Sequence, residues 1–141
     1  MPSPVSAAEY RALSELRYRI RCFLNFSEAA AREVGLEPQQ HQLLLAIEGL
    51  PKEEEPTIGR VAERLQIAHN SAVDLVRRAV HRGLVEKRTR PGDRRAILLA
   101  VTDSGATLLE RLSRAHRTEL HAMAPALLET VQLLVAKGGA Q

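Results

Sequence analysis

The sequence predicts a mainly α-helical chain with one small β-hairpin, arranged as a winged helix-turn-helix domain between long N- and C-terminal helices. Apolar residues fall at steps of three and four through most of the chain, which is the pattern of amphipathic helices. Two of these helical segments are short and separated by a tight turn at residues 66–69, and a single pair of strand-like segments encloses Pro91-Gly92-Asp93. With 141 residues, 45% of them hydrophobic, the chain can bury one core, so residues 1–141 read as a single domain.

Residues 9–34 place Tyr10, Leu13, Ile20, Leu24, Ala31 and Val34 on one stripe of a long helix that ends at Gly35. Glu37-Pro38 opens a second helix through Leu43, Leu44, Ile47 and Leu50. Residues 51–56, acidic and bracketed by prolines, form an exposed connector. Thr57 suits the N-cap of a short helix carrying Ile58, Val61, Ala62 and Leu65, and a further helix runs from about Asn70 to Arg82 before Gly83. Residues 84–90 and 95–101 are the strands. Thr102 or Asp103 caps a last long helix, which Pro125 is expected to break into two. On this division, 38–102 is the winged helix-turn-helix core. Segments 9–34 and 104–137 carry more apolar surface than so small a domain can hide, which points to dimerisation helices, unless they satisfy each other within one chain.

Charge is unevenly distributed. Between Arg77 and Arg95 stand eight basic residues against Glu86 and Asp93, a local excess of +6 in a chain whose formal charge is +3, so the remainder is mildly acidic. A cationic segment on an acidic body can dock phosphates at one face, although a solvated charged loop has the same composition. On the helix from Asn70, steps of 100° put Asn70, Ser71, Asp74, Arg77, Arg78 and His81 on one arc, with Ala72, Val73, Leu75, Val76, Ala79 and Val80 opposite. Short hydrogen-bonding groups in the first turn, with His69 just before them, could approach base edges in a major groove. Around the hairpin tip, Arg88, Arg90, Arg94 and Arg95 project as a wing suited to phosphates and a narrow minor groove. Asp93 reads as an intramolecular partner that orients an arginine or caps the turn.

From residue 9 to 135 the order of parts resembles the MarR family of transcription regulators. The most specific portion is Arg82-Gly83-Leu84-Val85-Glu86-Lys87-Arg88, followed by Asp93-Arg94-Arg95 and the run Val101-Thr102-Asp103-Ser104-Gly105. These are similar to the family's Asp-x-Arg wing and its Leu-Thr-x-x-Gly helix entry, with Val101 where leucine is common. The resemblance implies a homodimer on a pseudo-palindromic double-stranded DNA operator, acting as a repressor and released by a small-molecule effector. It also implies that the helix from about Asn70 reads the major groove and that Arg95 reaches the minor groove. The DNA-contacting set is then His69, Asn70, Ser71, Asp74, Arg77, Arg78, Arg88, Arg90, Asp93, Arg94 and Arg95.

Other functions find less support. Some members of the family sense oxidants through a cysteine in the first helix, and Cys22 sits comparably. Phe26 stands one turn beyond it, however, and residues 38–41 offer no tyrosine hydroxyl, so the thiol reads as an inert small apolar group. His116 and His121 are five apart and do not share a helix face, and no metal or cofactor is expected. Neither a nucleophile with a base nor a phosphate-cradling glycine loop is present, so the chain is not expected to be an enzyme. A winged-helix module that binds protein remains the alternative from another class. The absence of a membrane-length apolar run and of a signal-peptide pattern points to the cytoplasm, with no membrane partner.

Overall fold

The computed structural model describes residues 1–139, with side chains as far as Ala136. In chain order the elements are α1 (Ala7–Glu33), α2 (Pro38–Glu48), α3 (Ile58–Leu65), α4 (His69–His81), β1 (Val85–Arg90), β2 (Asp93–Val101) and α5 (Asp103–Gly139). The fold is therefore mainly helical with a two-stranded antiparallel hairpin. The chain divides into two compact units, one comprising Ala30–Ser113 and the other Met1–Ala29 with the chain from Arg114 onward.

The unit Ala30–Ser113 contains the main core. Leu43 and Leu44 of α2, Val61 of α3, Leu75, Val76 and Ala79 of α4, Val85 and Leu99 of the hairpin, and Leu109 and Leu112 of α5 are all buried together. Each comes from an apolar stripe of its own element, and this shared burial holds the two short helices and the hairpin on one scaffold. The cap of α3 is the expected one, with Thr57 Oγ1 accepting from the Arg60 amide at 3.1 Å. Between α3 and α4 the chain turns at Gln66, whose φ of 56° is left-handed. Its amide side chain helps close that turn by donating to the Glu63 carbonyl at 2.8 Å.

In the hairpin, Val85 pairs with Val101 and the register runs regularly to Thr89 opposite Ile97. It then jumps, so that Arg90 faces Asp93 and residues 94–96 are looped out of the ladder. Gly92, at φ +84°, makes the reversal. As a result β2 begins at Asp93, two residues before the expected start. At its other end Thr102 caps α5, its Oγ1 accepting from the Gly105 amide at 3.1 Å.

Two expectations fail. Pro125 does not break the last helix, since α5 runs through it. Proline removes one helical donor, but Ala122, Met123, Ala124, Ala126, Leu127 and Leu128 around it are strong helix formers that carry the helix on. Val73 and Val80 do not join the core either, being 42% and 37% exposed. They lie at the edges of an apolar arc whose centre, Ala72, Leu75, Val76 and Ala79, fills the space available.

In the other unit, α1 and the part of α5 that follows Ser113 meet around His116. Its Nε2 is 2.7 Å from Ser27 Oγ, and the rings of Phe23 and Phe26 approach it edge-on at 5.7 and 5.4 Å. Much apolar surface in this unit is left exposed, including Tyr10, Leu13, Ile20 and Leu24 of α1 and Leu120, Leu128, Leu133 and Val135 of α5. Among the described residues no helix is long and apolar enough to cross a membrane.

Candidate nucleic-acid interface

The helix α4 begins at His69, one residue before the expected start, so His69, Asn70 and Ser71 form its exposed first turn. No capping side chain occupies that end. The amides of the first turn therefore point outward beside three short or planar polar groups.

One turn further along, Asp74 is held between two arginines. Arg77 Nη2 donates to its Oδ1 at 2.5 Å, and Arg78 Nη1 donates to its Oδ2. Arg78 also lies 3.3 Å from Glu37, which opens α2. The Arg77 hydrogen bond, helped by the charges of Arg78 and Arg77, keeps the Asp74 carboxyl below the usual aspartate range despite an opposing contribution from desolvation. The i,i+3 and i,i+4 spacings that put these three residues on one face also bring them into contact with one another.

The wing arginines fall into two groups. Arg88 Nε donates to Glu86 at 2.8 Å, and Arg90 is gripped by Glu55 of the connector, with Nε to Oε2 at 2.8 Å. Among the described residues, the exposed side chains of Arg94 and Arg95 have no ion-pair partner, and neither does Lys87. Asp93 accepts the Arg95 backbone amide at 3.0 Å through Oδ1 and lies 3.6 Å from Arg90 through Oδ2. It therefore both caps the turn and faces an arginine. The structure thus brings His69, Asn70 and Ser71 together on one exposed turn and presents Arg94 and Arg95 at the tip of the wing. It ties Asp74, Arg77, Arg78, Arg88 and Arg90 into ion pairs.

Sequence reasoning missed Glu55 and Glu37, whose partners lie 35 and 41 residues away and leave no local signal. It also missed Tyr18. The expectation that Cys22 lacks a supporting hydroxyl needs correcting, because Tyr18 stands one turn before it on the same face of α1, where both are exposed. Interaction with the thiol raises the Tyr18 hydroxyl above its ordinary pKa. The i,i+4 spacing of Tyr18 and Cys22 is legible in the sequence.

A helix-turn-helix followed by a hairpin whose tip carries unpaired cations defines a winged helix-turn-helix protein. Residues 34–96 match the family model described as MarR family. Solved structures share the fold over most of the chain. A MarR family transcription regulator aligns with a TM-score of 0.73 at 19% identity, covering 93% of this chain and 89% of its own. A cysteine-to-serine mutant of MarR from E. coli, solved in complex with operator DNA, aligns with a TM-score of 0.66 at 19% identity, covering 86% and 88%. CouR from Rhodococcus jostii RHA1, solved with p-coumaroyl-CoA bound, aligns with a TM-score of 0.65 at 22% identity, covering 83% and 86%. No curated protein matches the sequence.

Proposed function

We propose that the chain is a cytoplasmic transcription regulator that binds double-stranded DNA as a homodimer and acts as a repressor at a pseudo-palindromic operator. The observation that carries this reading is the pairing of an exposed polar first turn on α4 with two unpartnered arginines at the tip of the adjoining hairpin. Direct readout needs short donors and acceptors at the front of a helix. A minor groove or phosphate backbone needs cations projected beyond the body of the domain. The MarR-family match over residues 34–96 supports the same assignment, and the E. coli relative complexed with operator DNA illustrates the mode.

In this reading Ser71, Asn70 and His69 contact base edges, and Arg94 and Arg95 serve the minor groove and phosphates. Arg77, Arg78 and Arg88 engage phosphates after exchanging their carboxylate partners. Asp74 discriminates bases only if it leaves Arg77 and Arg78, so its first role is to orient them. The exposed apolar faces of α1 and α5 support dimerisation through segments 9–34 and 104–137, with 38–102 as the DNA-binding core. Release by a small molecule is consistent with the relative solved with p-coumaroyl-CoA. No catalytic, metal or cofactor role is assigned.

The test is selection of duplex from a random-sequence pool, followed by binding measurements on the selected and scrambled duplexes across a range of salt. Selective, salt-dependent binding of one dimer per site is expected. Equal and weak binding to all duplexes, beside tight capture of a protein ligand, would instead support the protein-interaction module. That alternative predicts apolar anchors on the wing, and Ile97, 44% exposed, is the one large apolar group that the hairpin offers among the described residues.

A further inference from the structure

The contacts at the base of the wing form a continuous line from the acidic connector to the tip. Glu55 holds Arg90 with both carboxylate oxygens, Nε to Oε2 at 2.8 Å and Nη2 to Oε1 at 2.5 Å. Arg90 Nη1 lies 3.6 Å from Asp93 Oδ2, and Asp93 Oδ1 accepts the amide of Arg95 at 3.0 Å. One residue beyond Glu55, the Pro56 carbonyl accepts the amide of Leu99 at 2.8 Å, so the connector is also bonded to β2. Residues 94–96 are looped out of the β-ladder, and main-chain pairing with β1 therefore does not fix the part of the wing that carries Arg94 and Arg95.

We propose that Glu55 is a positioning residue for DNA binding: through Arg90 and Asp93 it sets where Arg94 and Arg95 are presented, and Arg90 anchors the wing instead of contacting phosphate. The two-pronged geometry is the reason. A guanidinium held by both oxygens of one carboxylate is fixed in angle as well as distance, which a single contact would not achieve. The consequence for DNA rests on the regulator reading above, whereas the tether itself can be tested without DNA.

The simpler alternative is that Glu55 only neutralises Arg90, and the two ideas predict opposite signs. If Glu55 merely masks a phosphate contact, Glu55→Gln removes a repulsive charge, tightens binding and steepens the salt dependence by about one unit of slope. If Glu55 positions the wing, Glu55→Gln weakens binding by about two- to fivefold, the range expected for a half-exposed ion pair, and leaves the slope unchanged. Arg90→Lys keeps the charge but loses the fork, and should weaken binding to a similar extent.

The experiment combines affinity for the wild-type-selected duplex with amide hydrogen exchange at Arg95 in the free protein. Expected results are faster Arg95 exchange and weaker binding in both variants, and no further loss from Glu55→Gln in an Arg94→Ala/Arg95→Ala background. Unchanged exchange, or tighter binding by Glu55→Gln, would overturn the proposal. Should the wild type bind no duplex at all, the regulator reading fails, while the exchange measurement still decides whether Glu55 holds the tip.

Discussion

Replacing Gly105 with alanine should destabilise the fold, because the start of α5 presses directly on the chain leading into the hairpin. A Cβ at this buried position would sit 2.9 Å from Val101 Cγ1 and 3.2 Å from the Leu84 carbonyl carbon, and closer still to the Leu84 carbonyl oxygen. That carbonyl cannot easily withdraw. It accepts the Thr102 amide at 3.0 Å, while the Leu84 amide donates to Ala79 at 2.9 Å and the Leu84 side chain is buried. Gly105 is fixed in turn by its own amide on Thr102 Oγ1, and Thr102 donates to the Gly83 carbonyl at 2.5 Å. Overpacking of this kind costs about 1–3 kcal/mol, and backbone on both sides of the contact places it at the upper end. Alanine would recover roughly 1 kcal/mol through its better helix propensity. The net loss should be about 1–2 kcal/mol, or a fall in Tm of roughly 3–8 °C for a chain of this size. The assay is thermal and urea unfolding followed by circular dichroism at matched protein concentration, since association would shift Tm. A Gly105→Ala protein as stable as wild type would refute the reasoning, and would mean that this approach relaxes freely in solution.

Arg95→Ala should weaken binding to selected and scrambled duplexes alike and flatten the salt dependence by about one unit of slope, whereas Ser71→Ala should cost about 1–3 kcal/mol on the selected duplex only; titrations over a range of salt check both. The Asp74 carboxyl should titrate below the ordinary aspartate value of about 3.9, and Arg77→Ala should raise its midpoint, as followed by carboxyl carbon NMR. Because its folded-state pKa is depressed, any stability it contributes is present above the unfolded-state value and is lost as pH falls through the folded-state one. Light scattering should give a dimer mass at micromolar concentration, and charged substitutions at Leu128 and Leu133 should shift the protein towards monomer. Cys22→Ser should return the Tyr18 hydroxyl towards its ordinary pKa, measured by ultraviolet titration against Tyr10, and a Tyr18 curve unmoved by the substitution would remove the thiol as the cause.

Much of the fold was legible because it depends on local periodicity and punctuation. The caps at Thr57 and Thr102, the turn at Gly92 and the apolar stripes of α2, α3 and α4 each specify their element within a few residues. Reasoning failed where a long-range or quantitative effect decided the outcome. Pro125 carries a real local penalty, but its size relative to the helix propensity around it cannot be read from position alone. The hundred-degree wheel correctly separated the two faces of α4 but could not tell that Val73 and Val80, at its margins, find no room in the core. Within the candidate site, the wheel also put Asp74, Arg77 and Arg78 on one face without revealing that they would bind one another, and nothing near Arg90 in sequence marks Glu55 as its partner.

These ion pairs change what the basic cluster can do. Of the eight cations between Arg77 and Arg95, the structure pairs Arg77, Arg78, Arg88 and Arg90 with carboxylates, and sets Arg82 on the neutral acceptors Gln40 Oε1 and the Gly35 carbonyl. Lys87, Arg94 and Arg95 are left, all three on the hairpin. Exposed and half-exposed pairs are worth about 0–1 kcal/mol each, so phosphates can displace the carboxylates of Arg77, Arg78 and Arg88 at small cost, but the cations are not equivalent at first encounter. The unpaired wing should make the early, nonspecific contact, and α4 should engage afterwards, as Arg77 and Arg78 exchange Asp74 and Glu37 for phosphate. Sequence discrimination would then require rearrangement of the Asp74 cluster as well as complementarity to it. Asp74→Asn, which weakens that cluster, should accordingly strengthen binding to scrambled duplex more than to the selected one. Equal effects on both duplexes would show that the cluster has no part in discrimination.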